Sequence, residues 1–333
     1  MRVTVIGAGS WGSAIARLLG TKDINVKLWA RSPELVATIN ETHSNPNYLS
    51  GVALPPSVVA TNELALALAD TEAVVLATPS AAVREMAHTL ASQELISSDT
   101  PLVILSKGIE YSTGLTLREV YADELGSVDR IAVLSGPNHA EEVARDILSA
   151  TVIAATDELI ASFFQDLFVA PHFRVYTSPD VLGVQLCGAA KNIIAIAAGA
   201  AFGLGFGDNT AAMLMTRGLA EISRLVEAVG GLPQTCMGLA GMGDLIVTCT
   251  SPHSRNRSFG VALASGISIT EYERTAHMVV EGAFACRSMP QLARKYEVEM
   301  PIADQVHDVV WEGRPIEDMI TSLMVRPSKP EFY

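Results

Sequence analysis

A glycine turn at the start of the chain restricts its fold more than any other feature. The apolar run 2–6 is typical of a buried strand, and residues 13–19 favour a helix. Between them Gly7, Gly9 and Gly12 have the spacing G-x-G-x-x-G. In such a unit the first glycine permits the turn, the second lets a pyrophosphate approach the backbone, and the third allows close packing. The helix start offers free N–H groups to phosphates. The sequence therefore predicts a dinucleotide site; the alternative is an ordinary glycine-rich turn in another α/β protein.

Composition limits the classes of protein and partner. The 333 residues suggest two domains, and 49% hydrophobic with 18% charged residues supply a core and exclude disorder. A net charge of -13 argues against a nucleic-acid partner, which needs a basic surface. Small anionic ligands remain compatible with this negative net charge, because they need only a few local cations.

The cysteines and the N-terminus predict a cytoplasmic protein. Four cysteines are widely spaced without a C-x-x-C motif, which indicates neither a zinc site nor a disulfide framework and fits a reducing compartment. The histidines also lack metal-ligand spacing, so no metal is expected. The first strand begins at residue 2 and leaves no room for a signal peptide.

One stretch has the length of a membrane helix. Residues 181–202 are almost wholly apolar, with Lys191 as the only charge. A lysine at the bilayer centre costs about 3 kcal/mol. We therefore predict a buried core helix and no membrane insertion.

The order of patterns predicts two unlike halves. Further strands are predicted at 25–30, 73–77, 101–105, 131–134, 151–155 and 173–177. Helices are predicted at 33–41, 80–90, 181–202, 210–229, 257–264, 282–295 and 302–311. Residues 43–58, rich in Asn, Pro, Ser and Gly, are expected to form a surface loop. We predict a doubly wound, mostly parallel α/β domain over 1–179 and an all-helical domain over 180–333.

The end of the second strand bears on cofactor choice. NAD-binding folds place an acidic residue there to hold the ribose 2′-hydroxyl, whereas this chain has Arg31. A missing acid beside an arginine favours a 2′-phosphate, and hence NADPH over NADH. The alternative is a solvated arginine at a strand end.

Lys191 is the leading candidate for proton transfer. It lies in an apolar, Gly/Ala-rich helix and is followed by Asn192. Burial lowers the pKa of a lysine, and a lysine lowered in this way exchanges a proton near neutral pH. The alternatives are a lysine that reaches the surface or one in a structural ion pair. His139 also has the chemistry of a general base, but a lone loop histidine is more often a bystander.

A second cluster combines glycines, a carboxylate and cations. The glycine-rich stretch 238–243 is unsuited to a helix interior and leads to Asp244, which suits orienting a cation or hydroxyl. Arg255 and Asn256 are good phosphate ligands at a helix start that Ser254 caps. The structural alternatives are a turn or cap carboxylate for Asp244 and a solvated basic face for Arg255. Lys107 and residues 136–140 follow predicted strands, at the edge where ligands bind.

These motifs together resemble the bacterial-type NAD(P)-dependent glycerol-3-phosphate dehydrogenases. The matching stretches run through the chain in the family's order: 7–12, 106–108, 134–137, 191–192, 241–245, 254–257 and 280–282. The resemblance implies a Rossmann domain, a helical substrate domain and a homodimer. In one departure, Asn138 stands where the family usually has Ser, which changes the size of a polar contact.

The resemblance also implies residue roles, with Lys191 as the proton donor and acceptor. The implied cofactor positions are Gly7, Gly9, Ser10, Trp11, Gly12, Arg31, Lys107, Ala140, Arg255, Val279 and Glu281. The implied substrate positions are Lys107, Gly136, Asn138, Lys191, Asp244, Ser254, Arg255 and Asn256.

The implied reaction is reversible reduction of dihydroxyacetone phosphate to sn-glycerol 3-phosphate with NADPH or NADH, which feeds phospholipid synthesis. Two other classes remain. A β-hydroxyacid dehydrogenase shares the two-part plan and a lysine but prefers a carboxylate substrate. A non-catalytic NAD(P) sensor needs the sheet loops but not Lys191, Asp244 and Arg255 together.

Overall fold

Short apolar runs separated by helices build one eight-stranded sheet in the N-terminal part of the chain. The computed structural model describes residues 1–276, 279–325, 327, 330 and 331. Within these ranges the strands are β1 (Arg2–Ile6), β2 (Asn25–Trp29), β3 (Ser44–Asn45), β4 (Leu49–Ala53), β5 (Val58–Thr61), β6 (Ala73–Leu76), β7 (Leu102–Ile104), β8 (Ile131–Ser135), β9 (Ser149–Ala154) and β10 (Phe173–Ser178).

The sheet has the order β10-β9-β8-β7-β6-β1-β2-β5. Its neighbouring strands are parallel except for the antiparallel pair β8–β9. The carboxyl ends of β1, β2, β6, β7 and β8 therefore share one edge, where ligands bind in such sheets. The predicted doubly wound, mostly parallel sheet is confirmed.

Helices cover the sheet and form the whole C-terminal part. They are α1 (Ser10–Gly20), α2 (Pro33–Thr42), α3 (Leu64–Leu68), α4 (Val83–Ser92), α5 (Leu117–Leu125), α6 (Ala140–Val143), α7 (Glu158–Phe168), α8 (Val181–Gly203), α9 (Asp208–Ala228), α10 (Asp244–Thr250), α11 (Arg255–Ala264), α12 (Ile269–Ala276), α13 (Glu281–Lys295), α14 (Pro301–Trp311) and α15 (Ile316–Met324). Two 3₁₀ turns occupy Ser80–Ala82 and Pro233–Met237, and a π-helical turn occupies Leu239–Gly243.

The expectation of a surface loop over 43–58 was wrong. This segment contains the antiparallel hairpin β3–β4 and the start of β5, which extends the sheet beside β2. Leu49 and Val52 of the hairpin are buried in a small cluster with Ala14 of α1 and Ala140 of α6. The polar composition concealed the hairpin because only these two apolar side chains anchor it.

The long apolar helix α8 is a buried core helix, as predicted, and lies at the centre of the helical part. It is the one described helix that is long and apolar enough to cross a membrane, and 94% of its apolar window is buried inside the protein. Helices α9, α11 and α13 pack around it. Its small residues permit close approach, since a Cβ on Gly260 of α11 would lie 2.2 Å from the Ile196 carbonyl oxygen of α8.

The chain leaves the sheet at Ser178, and Asp180 starts the helical part. One oxygen of the Asp180 side chain accepts a hydrogen bond from Gly183 N at 2.9 Å and thereby caps α8. The other oxygen accepts from Leu232 N at 2.9 Å and so fixes the loop after α9. These contacts bring the middle of α8 to the carboxyl ends of β7 and β8, where a Cβ on Gly188 would meet Ser135 and Lys107.

Candidate active site

The glycine turn has the geometry that a dinucleotide requires. Gly7 adopts φ +114°, and a Cβ on Gly7 would lie 2.6 Å from the Ala77 carbonyl oxygen. A Cβ on Gly12 would lie 1.9 Å from the Gly7 carbonyl oxygen, so close packing needs a glycine there too. A Cβ on Gly9, by contrast, would meet no described atom within 4 Å. The turn therefore leaves the backbone open at the place where a pyrophosphate would approach.

The other N-terminal cofactor candidates lie around this turn. Ser10 and Trp11 are the first two residues of α1, and the partly buried Trp11 packs against two apolar clusters. Arg31 follows β2 on the same edge and is exposed. Ser32 caps α2 by accepting a hydrogen bond from Leu35 N at 3.1 Å. The Arg31 side chain is thus carried on a fixed backbone and extends into solvent.

Three charged side chains from different elements meet between the sheet and α8. Lys191 Nζ donates to Asp244 Oδ1 at 2.6 Å and to Thr248 Oγ1 at 2.6 Å. Lys107, from the loop after β7, donates to Asp244 Oδ2 at 2.5 Å and to the Gly136 carbonyl at 3.3 Å. One buried carboxylate therefore holds two ammonium groups, and joins residues that are 137 and 53 positions apart in the chain.

This arrangement sets the protonation of the cluster. Burial lowers the pKa of Lys191 to about 8, although the Asp244 carboxylate opposes this and Lys107 adds to it. Burial alone would raise the pKa of Asp244, but the two ammonium groups outweigh burial and hold that pKa below its usual value. The predicted lowering of the pKa of Lys191 is confirmed in direction. Lys191 can therefore gain and lose a proton near neutral pH beside a permanent carboxylate.

Thr248 was missed by sequence reasoning. Its hydroxyl donates to the Asp244 carbonyl at 2.6 Å, one helical turn earlier in α10, and accepts from Lys191. The Asp–x₃–Thr spacing on one helix face was the available signal. An ammonium has three donors, and the described residues accept two of them at Lys191. One donor is left for a ligand.

The glycine-rich stretch 238–243, which was expected to be unsuited to a helix interior, is helical in the structure. It forms the π-helical turn that leads directly into α10, and Asp244 is the first residue of that helix. The Gly243 N–H bonds to the Gly238 carbonyl at 3.1 Å, which closes the wide turn. π-Helical turns are frequent at functional sites. The glycines thus position the carboxylate rather than leave it mobile.

The predicted phosphate ligands lie at the start of α11. Ser254 caps this helix by accepting from Arg257 N at 3.2 Å, as expected. Arg255 is exposed and reaches the Val279 carbonyl at 3.3 Å. Asn256 is buried, donates to Asn192 Oδ1 at 3.0 Å and accepts from Gly282 N at 2.9 Å. Because Asn192 follows Lys191 on α8, the helix start and the lysine form one continuous site.

Residues 136–140 connect β8 to α6 beside the same cluster. The Gly136 carbonyl accepts from Lys107, and Asn138 Nδ2 donates to the Ala150 carbonyl at 2.9 Å. Ala140 is buried as the first residue of α6. His139 is packed edge-on against His253, and burial, followed by the charge of Lys191, lowers its pKa. Since burial and the charge of Lys191 both disfavour the protonated imidazole, His139 is a weaker base than an exposed histidine.

Glu281, at the start of α13, is bound to a sheet loop. Ser80 donates to its carboxylate from both the backbone N–H, at 3.2 Å, and the hydroxyl. Burial raises the pKa of Glu281 while these hydrogen bonds act against the rise. The contact crosses 201 positions of sequence, and no periodicity or motif indicated Ser80 as its partner. Glu281 therefore lies against the loop after β6, and its carboxylate would be 4.0 Å from a Cβ on Gly108 in the loop after β7.

Within the described residues, no group of three or more His, Cys, Asp and Glu side chains is placed to hold a metal ion. The chemistry of the cluster is that of one carboxylate and two lysines. An open glycine turn at the edge of a parallel sheet, next to a buried lysine of lowered pKa, defines an NAD(P)-dependent oxidoreductase of the Rossmann class.

Comparison with known proteins gives the family. Models of the N- and C-terminal parts of NAD-dependent glycerol-3-phosphate dehydrogenase match residues 2–161 and 180–321. The chain is 49% identical over 333 residues to glycerol-3-phosphate dehydrogenase [NAD(P)+] of Pelotomaculum thermopropionicum, covering 99% of this chain and 95% of the relative. It is 47% identical over 329 residues to the enzyme of the same name from Moorella thermoacetica, covering 99% and 97%.

A solved structure supports the same conclusion. The crystal structure of glycerol-3-phosphate dehydrogenase from Coxiella burnetii superposes with a TM-score of 0.93 at 36% identity, covering 98% of this chain and 99% of that one. The chain belongs to the NAD-dependent glycerol-3-phosphate dehydrogenase family, which confirms the resemblance found in the sequence.

Proposed function

We propose that this protein catalyses the reversible, NAD(P)H-dependent reduction of dihydroxyacetone phosphate to sn-glycerol 3-phosphate. The observation that carries the proposal is the Lys191–Asp244–Lys107 cluster, next to a helix start that bears Arg255 and Asn256. Family membership identifies the substrate. The cluster provides a proton donor, and the start of α11 provides a site for an anion. By the same reasoning, the product would enter phospholipid synthesis.

Lys191 is the proposed proton donor and acceptor. Asp244 and Thr248 hold two of its N–H bonds, so the third points the proton toward a bound carbonyl oxygen. Lys107 adds a second positive charge where an alkoxide develops during reduction. Because Asp244 pairs with both ammonium groups, the lysines stay together, and the cluster has one net positive charge while Lys191 is protonated.

The substrate phosphate is assigned to the start of α11. Arg255 contributes an exposed guanidinium, while Ser254 and Asn256 fix the helix start. Gly136 and Asn138 form the opposite wall of the proposed substrate site, with Lys107 between them and Asp244. A phosphate held there would place the reacting carbonyl near Lys191.

The cofactor is assigned to the sheet edge. The open backbone at Gly9, flanked by Gly7 and Gly12, fits a pyrophosphate. Further proposed contacts are Ser10, Trp11, Arg31, Lys107, Ala140, Arg255, Val279 and Glu281. When bound, NAD(P)H supplies the hydride, and the protein supplies position and charge. Arg31, in place of an acid after β2, supports a preference for NADPH.

The remaining proposals concern the domain boundary, the oligomeric state and the location of the protein. We propose that the domains divide between residues 179 and 180, since β10 ends at Ser178 and the Asp180 cap opens α8. The second domain is extended to residue 333, which lies outside the described residues. A homodimer in the cytoplasm without membrane insertion is proposed from the family resemblance and from the burial of α8.

The decisive experiment follows the absorbance of NADPH, and separately of NADH, on mixing the purified protein with dihydroxyacetone phosphate. Oxidation that depends on this substrate supports the proposal. Oxidation only with a 2-oxo or 3-oxo carboxylate would assign the chain to a hydroxyacid dehydrogenase. Tight cofactor binding without any oxidation would point to a sensor instead.

A further inference from the structure

Asn45 is a buried polar residue that the proposed function does not use. It has no exposed surface and lies at an irregularity in the register of the hairpin β3–β4. A β-bulge of this kind redirects a side chain out of the regular alternation. Here the amide nitrogen of the Asn45 side chain reaches the glycine turn.

The hydrogen bonds of Asn45 connect three segments. Its Nδ2 atom donates to the Ala8 carbonyl at 2.8 Å and to Ser13 Oγ at 2.8 Å. Its Oδ1 atom accepts from Tyr48 N at 3.3 Å and so closes the tip of the hairpin. Ser13, on α1, is also fully buried. The polar atoms of Asn45 are therefore all engaged, and two of its three partners belong to the glycine turn and its helix.

The contact at the Ala8 carbonyl fixes the direction of the next N–H. In a trans peptide the C=O of one residue and the N–H of the following residue point in opposite directions. Because Asn45 holds the Ala8 carbonyl toward the hairpin, the Gly9 N–H is turned away from it. No described residue accepts a hydrogen bond from that N–H, and the space beside Gly9 is open.

We propose that Asn45 is a positioning residue for the cofactor: it orients the Ala8–Gly9 peptide so that the Gly9 N–H faces the incoming pyrophosphate. Leu49 and Val52 of the hairpin pack against α1 and α6 and hold the hairpin in place. The side chain of Asn45 is therefore held in a fixed position as well. A donor oriented in advance binds an anion more tightly than a donor that must be ordered on binding.

The test replaces Asn45 with Ala and with Asp, and it rests on the proposed pyrophosphate site at the glycine turn. Asn45→Asp keeps the shape and the acceptor for Tyr48 N but removes the donor to the Ala8 carbonyl. Both variants should raise the dissociation constants of NADPH and NADH by the same factor, about tenfold, because both cofactors carry the pyrophosphate. The KM for dihydroxyacetone phosphate and kcat at saturating cofactor should change little.

Asn40 offers a matched control. Its side chain donates to the Ala60 carbonyl at 3.0 Å and accepts from Ala60 N at 2.8 Å, which joins α2 to β5 away from the turn. Asn40→Ala removes a similar number of hydrogen bonds and should leave cofactor affinity unchanged. Equal losses of affinity in both alanine variants would reduce Asn45 to a general structural role and overturn the inference.

Two further measurements keep the outcomes distinct. In the wild-type protein without cofactor, the side-chain amide protons of Asn45 should exchange slowly with solvent; rapid exchange would overturn the inference even if both variants fail to fold. Gly9→Val should also weaken both cofactors. If it does not, the pyrophosphate assignment fails, whereas normal binding by a folded Asn45→Ala contradicts only the role of Asn45.

Discussion

Lys191 Nζ lies 2.6 Å from Asp244 Oδ1, and the other oxygen of that carboxylate is taken by Lys107. The carboxylate thus pairs with two ammonium groups of unequal exposure: Lys191 is 6% exposed and Asp244 is 2% exposed, whereas the side chain of Lys107 is 21% exposed. Uncompensated, either buried charge would be costly. Each charge of the pair offsets the cost of burying the other, and the proposed function gives the pair a chemical use as well.

Replacing Lys191 with Ala should abolish proton transfer while leaving the glycine turn intact. General acid–base catalysis contributes about 10²–10⁴-fold, so kcat should fall by at least that order. The affinity for NADPH, measured by fluorescence titration, should stay close to that of the wild type. Lys295→Ala, a change of an exposed lysine on α13, is the control. Near-normal turnover of Lys191→Ala would remove this residue from the mechanism.

The pKa of Lys191 near 8 should appear in the pH dependence of turnover. Reduction requires a protonated lysine, so kcat should decrease above about pH 8, whereas kcat for oxidation of glycerol 3-phosphate should decrease below it. Asp244 raises the pKa of Lys191 by its negative charge. Asp244→Asn should therefore shift both breaks to lower pH, by about one unit or more.

The pH shift expected of Asp244→Asn needs a control in which another carboxylate is neutralised. Asp146→Asn disrupts a surface ion pair with Arg17 and should leave the pH profile in place. If Asp244→Asn lowers kcat equally at every pH, the carboxylate acts only by holding Lys107 and Lys191 together. Its influence on the protonation of Lys191 would then be excluded.

The sequence was sufficient for seven of the eight strands of the sheet and for the glycine turn, because these follow from local patterns. Strand β5, whose start lies in the segment expected to be a loop, was not predicted. Apolar runs mark the strands, and Gly7, Gly9 and Gly12 form a local motif that is visible in the sequence, although the contact that requires a glycine at position 7 is with Ala77 after β6. The sequence also located Lys191, since one charge in an apolar helix is visible without a structure. The roles assigned to these residues stay predictions.

What the sequence could not predict depends on contacts between distant segments. Asp244 was expected near the site, but its bonds to Lys107 and Lys191 arise only when the sheet packs on α8. Ser80 and Glu281 likewise meet across the two parts of the chain. The hairpin β3–β4 was not predicted because its strands pair only with each other and have two and five residues, which is too short for a clear pattern.

Arg31 should decide between the two nicotinamide cofactors. It is exposed after β2, with no hydrogen bond or ion pair to another described residue, and is free to meet a 2′-phosphate. Arg31→Ala should lower kcat/KM for NADPH about tenfold and leave kcat/KM for NADH nearly unchanged. The ratio of the two values is the measurement. Equal effects on both cofactors would make Arg31 a general contact with no part in the preference.

Glu221 should make stability depend on pH. It is 2% exposed, and both of its oxygens lie near Ile302 N, at 3.0 and 3.1 Å, at the start of α14. Burial raises its pKa to about 8 from an ordinary value of 4.5. Between these values the folded state keeps a proton that the unfolded state has released. The free energy of unfolding should therefore fall as pH rises through this window.

Glu221→Gln isolates that dependence, because the amide oxygen still accepts from Ile302 N but no longer titrates. From pH 6 to pH 7 the wild type should lose about 1 kcal/mol more unfolding free energy than the variant. Denaturant unfolding at the two pH values measures the difference. Glu227→Gln, on the exposed side of the same helix, should behave as the wild type does. Parallel pH profiles for the wild type and Glu221→Gln would contradict the raised pKa.

Arg255 should be responsible for recognising the phosphate of the substrate. Its guanidinium is exposed at the start of α11 and is steadied by the Val279 carbonyl at 3.3 Å. Arg255→Ala should raise the KM for dihydroxyacetone phosphate at least about tenfold, since a charge-assisted contact is lost. Turnover of unphosphorylated dihydroxyacetone, which lacks the group that Arg255 would bind, should hardly change, so the variant should discriminate less between the two substrates. Arg257→Ala, two positions further along, is the matched control, because that side chain lies over the ring of Phe202 instead. An equal loss with both substrates would show that Arg255 acts through the cofactor alone and would move the phosphate site elsewhere.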